Sequence, residues 1–430
     1  MTLAKSIKWS VIACALVAVT GLSGETPNLE SSDKKTYRPK NSAQLSYKLL
    51  IPDVPDTSKA TQPLVVWLHP AGSFMNEQIE KDWWPDLKKA GCFLILPESR
   101  SKATWAPDEA PFVMSCIDDA LARHAQISPK RVILFGYSAG GQIALYLGCT
   151  QGDKLAGIVT MAAYPINPQM GKLMLPPPTY KDKLSYFLIC GRKDGGLRIC
   201  RSAVFQLKKL GFNALLTEVP GLEHAFVPGE KPAVVAWIAS LEQGKKPVDP
   251  YANQPKPCLE RIRAFQAELL ASKAKAPTDG QLMKLGTTAF SIKVPQDWQN
   301  NPEGDQLLSA VKLDGPKLLA GINAQLCDKG NVDEVLAAMT ERANLSGQAS
   351  FEQVLRANPK IGNRTWTACF NLVKEGPDVD MLVVHAYCRT KADKPDSLVF
   401  SFLVPIEKIE KNKTADLLYG ILDSLSDQVP

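Results

Sequence analysis

The chain has 430 residues, 45% of them hydrophobic and 22% charged, an ordinary globular balance with enough length for two or three cored domains. Its formal net charge of +6 falls to +4 if Lys5 and Lys8 leave with an N-terminal leader. So mild and evenly spread a charge argues against a nucleic-acid or strongly acidic partner.

The first 24 residues stand apart. Lys5 and Lys8 precede an apolar run from Val11 to Leu22, and small residues follow at Ser23 and Gly24. The run is too short to cross a bilayer comfortably, so 1–24 reads as a signal peptide, with an uncleaved anchor as the alternative. The apolar core continues past Cys14, which argues against lipidation there. The expected location is secreted or periplasmic. Ten cysteines less Cys14 leave nine, an odd number, so at least one free thiol is expected. No C-x-x-C pair is present, which speaks against a zinc or thioredoxin-like site. Cys190 and Cys200 bracket one short loop and are close enough in sequence to bridge. Cys327, Cys369 and Cys388 offer one further pair.

Residues 44–242 alternate strands with helices. Strands are predicted at Gln44–Ile51, Pro63–His69, Phe93–Pro97, Val132–Phe135, Leu155–Ala162, Tyr186–Cys190 and Asn213–Val219. Helices are predicted at Asn76–Ala90, Ala110–Gln126, Gln142–Leu147, Leu197–Leu210 and Lys231–Leu241. That order predicts an α/β fold with a mostly parallel sheet and helices on both faces. Residues 243–257 are Pro-rich and polar, and a charged amphipathic helix follows at Cys258–Lys273, so 243–280 reads as linker and helix. From Gln281 to Pro430 the pattern becomes α+β on an antiparallel sheet. Strands are expected at Phe290–Pro295, Leu307–Leu313, Leu318–Leu326, Thr365–Leu372, Met381–Arg389 and Leu398–Pro405, with helices at Val332–Asn344 and Lys413–Leu425.

The chemistry centres on Arg131–Leu147, RVILFGYSAGGQIALYL. A buried strand runs straight into Gly136-Tyr137-Ser138-Ala139-Gly140 and then a helix. Strand, G-x-S-x-G, helix is the arrangement that lifts a serine hydroxyl clear of a sheet on a strained turn. The flanking glycines remove side chains that would collide there. A serine needs a base to take its proton. The chain has four histidines. His69 and His124 precede Ser138, and His385 lies in the far domain on an apolar strand. His224, in GLEHAF after the last strand of the sheet, is the expected base. Asp194, in GRKD after the strand Tyr186–Cys190, is the expected acid, with Glu218 and Glu223 as fallbacks; Asp182 lies at the wrong edge. The oxyanion needs two backbone donors. Ala139 N–H is one. The other comes from the His69-Pro70-Ala71-Gly72 loop; proline has no N–H, so Ala71 is expected, or else Gly72. His69 reads as a loop-fixing residue rather than a catalyst.

With LVVWLHPAG, ISPKRVILFGYSAGG, LICGRKD and PGLEHAF in this order, residues 44–242 resemble the α/β-hydrolase superfamily. The nearest groups are the secreted polyhydroxybutyrate-depolymerase and feruloyl-esterase-like enzymes, or the phospholipase/carboxylesterases. The resemblance implies a hydrolase acting through an acyl-enzyme, without metal or cofactor. Pro70 departs from the glycine usual after the loop histidine. Residues 281–430 resemble the Mog1/PsbP-like domains of exported proteins, on FSIKVPQDW, the Asp333–Asn344 helix and the final helix. That resemblance implies an accessory domain that binds or scaffolds, with its partner unspecified.

These features predict a secreted serine esterase that uses Ser138, His224 and Asp194 on a small-molecule or polymer-linked ester. The segment Tyr164–Lys183 is too short for a large lid, so an open site accepting short acyl groups is expected. A serine peptidase on the same fold and a non-catalytic binding protein are the competing expectations.

Overall fold

The computed structural model describes residues 34–39, 45–53, 61–166, 172–252, 256–286, 288, 290–300, 308–314, 317–327, 332–347, 349–375, 379–389 and 397–426. The leader expected at 1–24 lies outside these residues. The first sheet holds β1 (Lys34–Tyr37), β2 (Tyr47–Leu50), β3 (Gln62–Leu68), β4 (Phe93–Pro97), β5 (Ile127–Tyr137), β6 (Gly157–Met161), β7 (Ser185–Gly191) and β8 (Asn213–Val219). Its spatial order is β1-β2-β4-β3-β5-β6-β7-β8. The β1–β2 and β2–β4 pairs are antiparallel, and the rest of the sheet is parallel. The helices are α1 (Asn76–Asp82), α2 (Trp84–Lys89), α3 (Ala110–Arg123), α4 (Ala139–Gln151), α5 (Leu197–Lys209) and α6 (Lys231–Ser240).

Strand alternation sorts the apolar residues into two cores, because successive side chains point to opposite faces. Leu64, Val66, Leu68, Val132 and Leu134 pack with Val113, Ile117, Leu145, Leu147 and Val204 of α3, α4 and α5. Val65, Trp67, Ile133 and Phe135 face the other way, onto Ile79, Trp83, Leu87, Trp237 and Ile238 of α1, α2 and α6. With both faces covered, the sheet shows the near-continuous apolar strands that marked it in the sequence.

Local chemistry accounts for the departures from expectation. The helix expected at Asn76–Ala90 is two helices meeting at Trp83, because Pro85 opens the second and cannot donate to a preceding carbonyl. The helix expected to reach Gln126 stops at Arg123, where His124 turns extended. β1 was not expected. It is a lysine-bearing edge strand, and Lys34 joins Lys48 of β2 on the Glu80 carboxylate, at 3.2 and 2.6 Å. Such a sequence has no apolar run to announce it.

The second domain opens with α7 (Pro257–Ala271) and a small antiparallel pair, β9 (Gln281–Lys284) and β10 (Ser291–Val294). The main elements are β11 (Gln299–Asn300), β12 (Leu308–Asp314), β13 (Lys317–Cys327), α8 (Val332–Ser346) and β14 (Ala349–Ala357). After the hairpin β15 (Lys360–Ile361) and β16 (Arg364–Thr365) come β17 (Thr367–Glu375), β18 (Val379–Arg389), β19 (Ser397–Pro405) and α9 (Lys413–Asp423). The seven-stranded antiparallel sheet has the order β11-β12-β13-β19-β18-β17-β14. Phe370, Leu382, Val384, Phe400 and Phe402 form its core with Ile262, Phe265 and Leu269 of α7 and Leu418 and Ile421 of α9. The helix expected within the linker is therefore part of this core. β14 went unread because a bulge between Gln353 and Leu355 breaks its alternation.

The opposite face of this sheet carries a polar row across β17, β18 and β19. His385 lies opposite Cys369 and Ser401 in the strand register, and its Nδ1 is 2.8 Å from Ser401 Oγ. Burial lowers the His385 pKa to about 4. The folded state therefore excludes a proton that the unfolded chain takes up near pH 6.5. The protein loses up to about 3 kcal/mol from this group as pH falls from 6.5 towards 4. In urea unfolding at pH 7 and pH 4.5, we expect His385→Gln to lose less stability between the two conditions than the parent chain. Equal losses would contradict this account.

Candidate active site

Ser138 sits between the last residue of β5 and the first of α4, with φ 51° and ψ −116°. A serine at positive φ is strained, by about 1–3 kcal/mol. The turn holds because Ser138 N–H donates to Met161 O at 2.9 Å, and Ser138 O accepts from Gln142 N–H at 3.0 Å. Both glycines of the motif are required by close backbone approach. A Cβ on Gly136 would lie 2.4 Å from the Gly140 carbonyl, and one on Gly140 only 1.8 Å from Leu68 O. The amino end of α4 thus lies directly on the end of β3. That contact brings the helix N–H groups and the His69 loop to the same point.

His224 lies in the loop after β8, and its Nε2 is 2.9 Å from Ser138 Oγ. Two residues on, Phe226 anchors this loop among Trp67, Trp83 and Tyr137, at ring separations of 5.8, 5.6 and 5.4 Å. Asp194 lies between β7 and α5, and its Oδ2 is 3.0 Å from His224 Nδ1. Its other oxygen accepts the Gly196 N–H at 2.8 Å and the Tyr164 hydroxyl at 2.5 Å. Burial by itself would raise the Asp194 pKa. The hydrogen bonds from His224, Tyr164 and Gly196 outweigh it and hold the carboxyl below its ordinary range. The structure brings Ser138, His224 and Asp194 into one relay. The Asp194 side chain is 1% exposed and that of His224 is 44% exposed. Asp194 is shielded while His224 opens to solvent.

The loop after β3 is built on His69, which is fully buried. Burial lowers its pKa, so the ring is neutral and carries one N–H. Nδ1 is 2.7 Å from Pro70 O, and a carbonyl only accepts, so Nδ1 donates; Nε2 lies 2.8 Å from Ser99 Oγ, whose hydroxyl is also 2.7 Å from Ser101 O. The Trp105 indole N–H donates to His69 O at 2.9 Å and fixes the loop from the other side. The described peptides are all trans. Drawing Pro70 O towards His69 therefore turns the Ala71 N–H to the opposite side. Gly72 N–H is taken by Lys102 O at 2.6 Å, which removes Gly72 from consideration as a donor. Among the described residues Ala71 N–H has no backbone partner, and Ala139 N–H opens α4 in the same way.

Of the fallback acids, Glu218 is gripped by Arg201, which donates at 2.9 and 2.7 Å, and Glu223 is exposed. Arg192, two residues before Asp194, lies 3.8 Å from Glu218 and 3.1 Å from Asp380 of β18. An ion pair from the second domain thus reaches the loop that carries Asp194. Cys190 and Cys200 stand as buried free thiols rather than a bridge. No disulfide joins cysteines among the described residues, so neither of the bridges that the sequence left open is seen. Two site residues were missed in the sequence, Tyr164 and Asp380. Tyr164 carried one legible signal: it closely follows a strand of the parallel sheet, where loops line the site. Asp380 carried none.

Comparison with known proteins bears on the first domain. Residues 55–240 match the phospholipase/carboxylesterase family, and this segment has the α/β-hydrolase fold. The acyl-protein thioesterase 1 of Neurospora crassa is 27% identical over 114 residues, 26% of this chain and 46% of that protein. The acyl-protein thioesterase 1 of Gibberella zeae is 28% identical over 114 residues, 26% of this chain and 48% of that protein. The chain spans about half the length of these curated relatives. The solved Staphylococcus aureus fluorophosphonate-binding serine hydrolase F superposes with a TM-score of 0.38 and 14% identity, over 48% of this chain and 97% of that one.

The backbone contact beneath Ser138 yields a stability test. Gly140→Ala places a methyl group against the Leu68 and His69 carbonyls. We expect a loss of at least about 2–3 kcal/mol in urea unfolding, or failure to accumulate as soluble protein. Wild-type stability in this variant would mean that α4 does not rest on β3 as described.

Proposed function

We propose that this α/β-hydrolase-fold chain is an exported carboxylic-ester hydrolase acting through an acyl-enzyme on Ser138. The observation that carries this reading is the unbroken relay from Ser138 Oγ through His224 to Asp194, at 2.9 and 3.0 Å, on a strained strand-to-helix turn. Ser138 Oγ attacks the ester carbonyl carbon while its proton passes to His224 Nε2. Asp194 holds the imidazole with Nδ1–H towards itself and faces the charge that forms. The Ala139 and Ala71 N–H groups receive the oxyanion. Collapse breaks the acyl–oxygen bond, and the alcohol leaves with the proton from His224. Water then gives a proton to the same nitrogen and attacks the acyl-enzyme. The acid departs and the Ser138 hydroxyl is restored. These steps use no metal or cofactor.

The exposure of His224 and the short Tyr164–Lys183 segment favour short acyl chains or esters displayed on a larger molecule. Thioesters are the second substrate class, favoured by the two curated relatives, both named acyl-protein thioesterases. The leader read at 1–24 supports export to the periplasm or beyond.

The test is hydrolysis of p-nitrophenyl esters from acetate to palmitate by residues 25–430, beside a short-chain acyl thioester. We expect kcat/KM to fall with chain length. Ser138→Ala should lower it on the order of a thousandfold or more. A fluorophosphonate should label the parent and not the variant. Preference for palmitate would overturn the open-site proposal. Turnover retained in Ser138→Ala, or the absence of both labelling and turnover in the parent, would overturn the serine-hydrolase reading.

A further inference from the structure

We propose that Tyr164 is a positioning residue of this site: its hydroxyl clasps Asp194 and His224 together and keeps His224 Nε2 turned to Ser138. This rests on the catalytic reading of Ser138, His224 and Asp194. The Tyr164 oxygen is 2.5 Å from Asp194 Oδ1 and 2.8 Å from His224 Nδ1. A phenol has one proton to give. Burial and the adjacent Asp194 carboxylate both raise the Tyr164 pKa, so the hydroxyl keeps its proton and donates it to Asp194. The phenolic lone pairs then face His224. The Nδ1–H lies between two acceptors, Asp194 Oδ2 at 3.0 Å and Tyr164 Oη at 2.8 Å. A second acceptor strengthens the preference for the Nδ1–H tautomer, the one that leaves the Nε2 lone pair for the Ser138 proton.

The backbone around Tyr164 is built to place it. Ala162, just past β6, has φ 46°, and its N–H donates to Ile189 O at 2.9 Å. A non-glycine residue at positive φ is strained, and here the strain redirects the chain towards the site. The Cys200 thiol meets Ala163 O at 3.5 Å. On the far side, Gly196 leaves room for the ring, since a Cβ there would fall 1.8 Å from Tyr164. The same Gly196 donates its N–H to Asp194 Oδ1. Tyr164, Gly196 and His224 thus supply three fixed donors to one buried carboxylate. The other titratable groups around it are Tyr137 beyond His224 and the thiols of Cys190 and Cys200 behind the ring.

The clasp has an electrostatic consequence. A carboxylate that shares its charge with a phenol stabilises an adjacent imidazolium less than an unshared one. Removing the hydroxyl loosens the histidine and also returns that charge to it.

The experiment is Tyr164→Phe in the full mature chain, which keeps the ring that packs on Gly196. We expect kcat for p-nitrophenyl acetate to fall about ten- to a hundredfold, with KM changing less than about threefold. The acidic limb of the kcat/KM profile should move to higher pH by roughly half a unit or more. Superimposable profiles, or a lower kcat with an unmoved limb, would overturn the proposal. A second readout does not need turnover: the downfield imidazole N–H resonance, assigned by its loss in His224→Gln. It should shift and exchange faster in Tyr164→Phe, and an unchanged resonance would overturn the clasp. An inactive, unlabelled parent whose resonance still responds to Tyr164→Phe would sink the catalytic reading and leave the clasp standing.

Discussion

The amino end of α4 lies on the carboxyl end of β3 so closely that Gly140 has no room for a side chain. From that contact the rest of the site follows. It strains Ser138 into positive φ and brings the first N–H groups of α4 beside the His69 loop. A strained residue persists only where its surroundings over-determine it. Here the parallel sheet does so, through the Met161 carbonyl on one side of the turn and the β3 backbone beneath it. The elbow is a demand placed on the whole sheet rather than a property of five residues.

The supports of the His224 and Asp194 loops are of different kinds. The His224 loop is held by apolar packing, with Phe226 seated among the aromatic rings below the sheet edge. The Asp194 loop is held by charge and hydrogen bonding. Tyr164 and Gly196 donate to its carboxylate, while Arg192 of the same loop lies between Glu218 and Asp380. With Arg201 added, the two guanidinium groups face two carboxylates, so the burial of these side chains leaves no net charge uncompensated. Because Asp380 comes from β18, the second domain shares in fixing the loop that carries Asp194. This gives the second domain a physical connection to the site even though none of its described residues enters the Ser138–His224–Asp194 hydrogen-bond chain.

Much of the fold was legible along the chain because buried parallel strands are continuous apolar runs and the helices between them have amphipathic faces. Strands 93–97 and 213–219 were read to the residue. What escaped had a specific cause in each case. β1 is too polar to signal a strand, and a bulge spoils the alternation of β14. Pro85 split a helix whose hydrophobic spacing runs on through it. α7 has the composition of a linker helix, and its place in the second core depends on aromatic partners more than a hundred residues later, such as Phe370 and Phe402.

Ser138, His224 and Asp194 could be nominated from the sequence because each stands in a local motif at the carboxyl edge of a predicted strand. Strand order then limits which loops can meet. By itself the sequence also specified that Pro70 could not be an oxyanion donor, since the missing N–H is a covalent fact. It put Ala71 first as the expected donor and Gly72 second. What it could not show is the tertiary hydrogen bond from Gly72 N–H to Lys102 O, between loops thirty residues apart, that occupies Gly72. The bonding state of Cys190 and Cys200, the Tyr164 clasp and the reach of Asp380 were likewise decided in three dimensions. The physical reason is common to all of them: covalent identity and hydrophobic period are written locally, whereas a hydrogen bond depends on the relative placement of atoms to within a few tenths of an ångström. Only the packed sheet supplies that placement.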